Sequence, residues 1–293
     1  MLSVDPTKIS GFRDAMGSQG KQKATVESYG RDMANFLQFI ESANIHSGDI
    51  GLETLEEFKN WMLTRGSKPS SIRRAVIAIR MFFRWLEEIG ELHGNPFDDA
   101  PVPAHEQHAA RLITAEKIEL MLTLARSSDS ALKASRDAVL LLLLSREGLK
   151  SSEIVTLCWS HFFAAGESGR LTISGDRART IGLEVETTLA LKTYRDVLQN
   201  DPRTRINFNQ SAPIFVSFKG ADARAVHSGI TRHGLKFAIY ELGSAAEVPQ
   251  LNAEQLRHMA MSHKLGLGYT PDMVMNHLGL RRVGNIGKHL GSP

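Results

Sequence analysis

Apolar residues recur every three or four positions through most of this chain, the spacing that gathers them on one face of an α-helix. Residues 24–42 carry Tyr29, Met33, Phe36, Phe39 and Ile40 in that rhythm, and residues 55–64 carry Leu55, Phe58, Trp61 and Met62 before Gly66 ends the run. Pro69, Ser70 and Ser71 open a third helix over 72–89, with Ile72, Val76, Ile79, Phe82, Phe83 and Leu86 facing inward and Arg73, Arg74, Arg80 and Arg84 on its other faces. Further on, Thr114 and Glu116 make a capped, acidic helix start. Residues 132–145 are the most apolar helical segment, and 186–198, 228–242, 252–266 and 270–278 continue the helical pattern. Only two places break it. Residues 170–173 and 180–183, either side of Ser174, Gly175 and Asp176, read as a β-hairpin, and 213–217 as a short strand or extended connector.

Pro96, Pro101 and Pro103 concentrate between the two helical regions, where fixed φ angles and missing donors favour an extended connector. The chain therefore divides into an N-terminal arm (1–19), a helical domain (20–95), a linker (96–111) and a second domain (112–293). A length of 293 residues suits two cores. The formal net charge of +3 leans mildly toward polyanionic partners. The single cysteine, Cys158, excludes an internal disulfide and, set in an apolar run, reads as a buried thiol. Residues 1–18 are polar, with Asp5, Lys8, Arg13 and Asp14, and the longest apolar run, 138–144, is too short for a bilayer, which needs about 20 residues. No membrane association is expected, and the expected location is the cytoplasm, in association with the nucleoid.

The residues that carry chemistry lie in the second domain. Glu254-Gln255-Leu256-Arg257-His258 precedes an apolar-periodic run that ends in His277-Leu278-Gly279-Leu280, with His289 beyond. Upstream stands Gly148-Leu149-Lys150-Ser151-Ser152-Glu153-Ile154, followed by Leu157 and Trp159. In order and spacing these boxes resemble the tyrosine recombinase, or phage integrase, family, Xer-like members included. That family has His-x-x-Arg-His, Leu-Gly-His, a tyrosine, and Gly-Leu-Arg-x-Ser-Glu-Leu. The hairpin over 170–183 is similar to the family's lysine-bearing β-turn, and Ile230-Thr231-Arg232-His233-Gly234 to the helix start before its His-x-x-Arg box.

The resemblance implies a mainly α fold with a small β-hairpin or sheet, arranged as a two-domain, C-shaped DNA clamp. One arm would be a SAM-like helical core-binding domain and the other an α+β integrase-type catalytic-fold domain. It also implies a reaction: a tyrosine attacks a phosphodiester while two arginines grip the non-bridging oxygens, a lysine protonates the leaving oxygen and histidines assist. This sequence departs from each requirement. Lys150 stands for the first arginine, Glu254 for a histidine, Leu280 for the second histidine or tryptophan, and His289 for the tyrosine; no tyrosine follows Tyr269. No lysine occurs between Lys150 and Lys192; around the turn of the hairpin stand Arg177 and Arg179 instead. Glu153 and Arg257 are retained. Lysine keeps a charge but loses the planar fork that matches phosphate.

A degenerate, catalytically inactive relative is therefore expected, binding duplex DNA in a regulatory, architectural or accessory role in recombination, mobile-element control or transcription. Its partners would be double-stranded DNA and either an active tyrosine recombinase or further copies of itself. The contacts expected are Lys68, Ser70, Ser71, Arg73, Arg74 and Arg80 at and near a basic helix start, and Lys150, Arg177, Arg179, Arg232, His233, Arg257 and His258 in the second domain. Lys219, Arg224, His263, Lys264, Arg281 and Arg282 fall where the family lines its DNA channel. The alternative is an active, divergent recombinase using His289 or a partner's tyrosine in trans; a third reading is a protein-interaction module that has lost DNA. His263 and His277 lack the ligand spacing of a metal site, and no glycine-rich phosphate loop occurs, so no metal and no cofactor are expected.

Overall fold

The computed structural model describes residues 6–104, 113–201, 211–219 and 224–280. They fall into two compact units, Met1–Ala109 and Ala110–Pro293. The first is built from α1 (Pro6–Ser18), α2 (Lys23–Ser42), α3 (Leu52–Thr64) and α4 (Pro69–Glu88). All six residues expected to face inward on α4, from Ile72 to Leu86, are buried there, beside Met33, Phe36 and Phe58. Pro69 occupies the first turn of α4, where a missing amide hydrogen leaves no bond unmade.

Two expectations for this unit are corrected. Most of the segment read as an arm is α1. Its Ile9, Phe12 and Met16 recur at helical spacing and are buried, Phe12 meeting Phe82 edge-on at 5.4 Å. The polar residues between them hid that short apolar face. The first half of the proline-rich connector is not free either, because Phe97 is fully buried against Phe83, with ring centroids 4.7 Å apart. The arginines of α4 hold this stretch down. Arg80 donates to the carbonyls of Asp98 (2.7 Å) and Ala100 (3.3 Å), Arg84 to the Asp98 carboxylate (2.9 Å), and Arg73 to the Pro103 carbonyl.

Arg74 turns the other way. Its Nε and Nη2 grip both oxygens of Asp32, a carboxylate only 2% exposed, at 2.7 and 2.9 Å. Arg74→Ala would strand that buried charge, so we expect thermal unfolding of this unit to show a loss of about 2 kcal/mol.

The second unit runs α5 (Ala115–Arg126), α6 (Ala131–Ser145), α7 (Ser151–Ile154), β1 (Phe162–Ala165), β2 (Ser168–Ile173), β3 (Arg179–Leu183), α8 (Val185–Asn200), β4 (Val216–Lys219), β5 (Arg224–Gly229), α9 (Arg232–Ala245), α10 (Ala253–Gly266) and α11 (Pro271–Leu278). Every residue of α6 from Asp137 to Ser145 is buried, which makes it the central helix, packed by α5, α8, α9 and α10. Side-chain caps open five of these helices, from Thr114, Ser130, Thr231, Asn252 and Thr270.

The expected hairpin is present as β2 and β3, with Leu171 opposite Ile181 on the buried face. β1 was not anticipated. Phe162 to Ala165 carries no alternation of its own, yet it pairs antiparallel with β2 across a turn at Gly166 (φ +60°). The helix expected over 228–242 starts later, at Arg232, because residues 224–229 pair with β4 and Thr231 then caps the helix. Cys158 is half-exposed rather than buried. Among the described residues no helix is long and apolar enough to cross a membrane.

Candidate functional site

Three basic residues converge where α7, β3 and α10 meet. Lys150 caps α7, and its own backbone amide donates to Glu153 Oε2 at 2.8 Å, so the acidic residue three positions on closes the turn and fixes where Lys150 sits. Arg179, the first residue of β3, closes its fork on the same buried carboxylate, with Nη1 2.7 Å from Oε1 and Nη2 3.2 Å from Oε2, while its Nε donates to the His277 carbonyl at 2.7 Å. Arg257, on α10 and 3% exposed, donates from Nη1 to the Gly148 carbonyl (2.5 Å) and from Nη2 to the Leu278 carbonyl (2.7 Å).

The Lys150 ammonium differs from these. Among the described residues it has no hydrogen-bond or ion-pair partner. Burial, with the positive charges of Arg257, Arg179 and Arg177, holds its pKa below the ordinary lysine value, and Glu153 offsets this only in part. Burial pushes the Glu153 carboxyl up, but the Arg179 fork and the Lys150 amide reverse that and bring it below the ordinary range. Glu153 thus neutralises Arg179, and the positive charge that remains at the site is carried by Lys150 and by Arg257, the latter offset in part by Glu254. Chemically the arrangement can attract an anion with several oxygens.

Two left-handed glycines permit the close approaches. At Gly148 (φ +66°) a Cβ would come within 2.8 Å of Leu278 Cγ, and at Gly279 (φ +64°) within 2.8 Å of Arg179 Nη1. Gly279→Ala is therefore expected to cost about 1–2 kcal/mol and to displace Arg179, visible as a lowered melting temperature together with a changed Arg179 side-chain signal in NMR.

Behind this site runs a lattice of buried charges that the sequence reading missed. Lys264 is fully buried, with Nζ 2.9 Å from Glu147 Oε2 and 2.6 Å from Glu184 Oε1. His277 Nε2 lies 3.1 Å from Glu147 Oε2, and the Glu184 amide donates to Glu147 Oε1 at 2.9 Å. His263 bridges Glu184 and Arg146. The guanidinium can only donate to Nδ1 (2.9 Å), so Nε2 carries the hydrogen that faces Glu184 (3.0 Å). Burial would raise the Glu147 carboxyl. The His277 hydrogen bond, the Lys264 charge and the Glu184 amide outweigh it and bring its pKa down to about 2. His263 and Lys264, expected to line a DNA channel, are committed here instead. No periodic signal announced Glu147; only its place at the end of the apolar run of α6 could have.

The remaining candidates scatter. Arg177, Arg232 and His233 are exposed, the latter two in the first turn of α9. His258 is half-buried, 3.4 Å from Glu254 one helical turn earlier, so that Glu254 also faces Arg257's end of the site. Leu280 packs against Met261, Val274 and Leu278, an apolar role in place of a ring donor. In the first unit Lys68 and Ser70 are exposed and Ser71 half-exposed at the start of α4, while Arg73, Arg74 and Arg80 each hold a partner within the fold with one or two of their five donors. His289, Arg281 and Arg282 lie outside the described residues, as do the side chains of Lys219 and Arg224. Among the described residues no cluster of His, Cys, Asp or Glu could hold a metal ion.

Residues 9–90 match the family model described as "Phage integrase, N-terminal SAM-like domain". Over 258 residues the chain is 24% identical to "Tyrosine recombinase XerC" of Roseiflexus sp. (strain RS-1), covering 87% of this chain and 79% of that protein. It is 22% identical over 268 residues to the protein of the same name from Staphylococcus aureus (strain MRSA252), covering 90% and 85%. Its fold is similar to that of XerH site-specific recombinase bound to palindromic difH substrate, with a TM-score of 0.74, 16% identity and coverage of 98% of this chain and 81% of that one. It is also similar to a lambda integrase dimer bound to a COC' core site, with a TM-score of 0.70, 13% identity and coverage of 97% and 76%.

Proposed function

Since this chain belongs to the tyrosine recombinase family, we propose that it grips duplex DNA as an accessory or regulatory member that does not cut it. The observation that carries the reading is the Lys150 ammonium, half-buried beside Arg177, Arg179 and Arg257. A phosphodiester placed there supplies the negative charge that the protein withholds and exchanges condensed counterions for protein cations. Arg257 joins in. Two of its five donors hold carbonyls, and each amino nitrogen keeps a second hydrogen for a phosphate oxygen.

Several features support grip without cleavage. The Arg179 fork is closed on Glu153. Glu254 stands where a histidine would orient the phosphate, and a carboxylate repels it. Leu280 is apolar, and the β2–β3 hairpin has no lysine to protonate a leaving oxygen. In the first unit, Lys68, Ser70 and Ser71 at the start of α4 remain available to DNA, and short polar side chains there suit base edges and phosphates alike. Further copies of this chain, or an active recombinase, are the proposed partners on DNA.

Binding to labelled duplexes is expected to fall steeply with salt, log K changing by about −0.9 per neutralised phosphate for each unit of log salt. Binding should also weaken at a lower alkaline pH than an ordinary lysine would set, as Lys150 loses its proton. A nicked half-site substrate is expected to trap no covalent adduct. Salt-independent binding would remove the DNA reading, and an adduct that disappears in His289→Ala would replace it with the active-recombinase reading.

A further inference from the structure

From the geometry behind the pocket we infer that the buried Glu147–Lys264–His277 lattice is a positioning device that sets Arg257 and Arg179 for phosphate. Arg257 is held by the carbonyls of Gly148 and Leu278, and Arg179 by the carbonyl of His277. Those three carbonyls lie on two segments far apart in the chain, 147–148 and 277–278. One hydrogen bond, from His277 Nε2 to Glu147 Oε2 at 3.1 Å, joins the two segments directly. Lys264 fixes the same carboxylate from α10, the helix that carries Arg257, and ties it through Glu184 to the end of β3, the strand that carries Arg179. All the elements that present the two guanidiniums are thus pinned to one carboxylate.

A buried lysine, glutamate and histidine are a poor way to gain stability, since desolvation cancels most of the attraction. Their value lies in direction. Charge-assisted bonds have narrow geometry, whereas an apolar core would let the 277–278 turn slide against 147–148. His277 reaches the pocket only through its own backbone and Glu147, so its role is indirect, and so is that of Lys264.

The consequence for DNA rests on reading the pocket as a phosphate grip; the positioning itself does not. In folded, DNA-free protein, His277→Leu is expected to shift the side-chain Nε–H signals of both Arg257 and Arg179 in ¹⁵N NMR. It should also weaken binding to a labelled duplex by about tenfold, the order expected of a supporting contact around a site. His277→Gln, which keeps a donor toward Glu147, should restore both. Glu147→Gln, which keeps an acceptor for the Glu184 amide, serves as a second disruption if His277→Leu does not fold. A folded disrupted variant with both arginine signals unchanged overturns the inference. Signals that move while neither His277→Leu nor Arg257→Ala alters DNA affinity leave the positioning intact and remove the phosphate reading instead.

Discussion

Lys264→Ala is expected to lose about 3–5 kcal/mol of stability in chemical denaturation, because it abandons the fully buried Glu147 carboxylate and half of the partnership of Glu184. In a unit of this size such a loss lowers the melting temperature by roughly 10 °C. The wild-type protein should show the same dependence as a function of pH. Glu147 titrates near pH 2 when folded and near 4.3 when unfolded, so its ionised form favours the folded state. That contribution is complete above the unfolded value and drains away as pH falls from about 4.5 toward 2. Lys264 moves the other way: burial lowers its pKa, but Glu147 and Glu184 raise it above the ordinary value. Its share is present through neutral pH and is lost only as pH climbs past the normal lysine range. A Lys264→Ala protein that melts like wild type, or a wild-type protein indifferent to pH between 4.5 and 2, would contradict this assignment.

Arg257→Ala is expected to act twice. Within the fold it leaves the Gly148 and Leu278 carbonyls without donors in a buried setting, at a cost of about 2–3 kcal/mol. On DNA it removes a phosphate contact, so affinity should fall by about ten- to a hundredfold and to the same extent on preferred and scrambled duplexes, since a phosphate carries no sequence. Arg257→Lys should recover little of either effect. One ammonium cannot reproduce a fork that spans two carbonyls and still faces a phosphate. Titrating both variants against both duplexes checks the claim, and a loss confined to the preferred sequence would show that Arg257 lies near base edges instead.

Much of this architecture was legible in the spacing of apolar residues. The six inward positions of α4 and the burial of α6 follow from patterns a few residues long, and the β2–β3 hairpin from two short apolar runs around a turn. What escaped was of two kinds. α1 and β1 are short elements whose formation depends on a partner, Phe82 for Phe12 and β2 for β1, and no local pattern reports a distant partner. The site divided similarly. Lys150, Glu153, Arg179 and Arg257 were singled out by position and do converge. Arg73, Arg74 and Arg80 were also singled out, yet they bind within the fold. An arginine on a helix reads the same in sequence whether it faces solvent or a carbonyl thirty residues away. The Glu147–Lys264–His277 lattice was illegible because its members lie more than a hundred residues apart in the first step and none has the company of its partners locally.

The way Glu153 is shared bears on how this lineage could change. Its two oxygens serve the Lys150 amide and the Arg179 fork at once. A Lys150→Arg substitution would meet a carboxylate that already accepts from the Lys150 amide and from both arms of the Arg179 fork, and would add a further guanidinium beside Arg179 and Arg257. The two arginines would compete, and the newcomer would be pushed outward unless Arg179 changed first. The order of substitutions therefore matters. The Arg179 tie couples positions 150 and 179, so that a change at one alters what the other can accept.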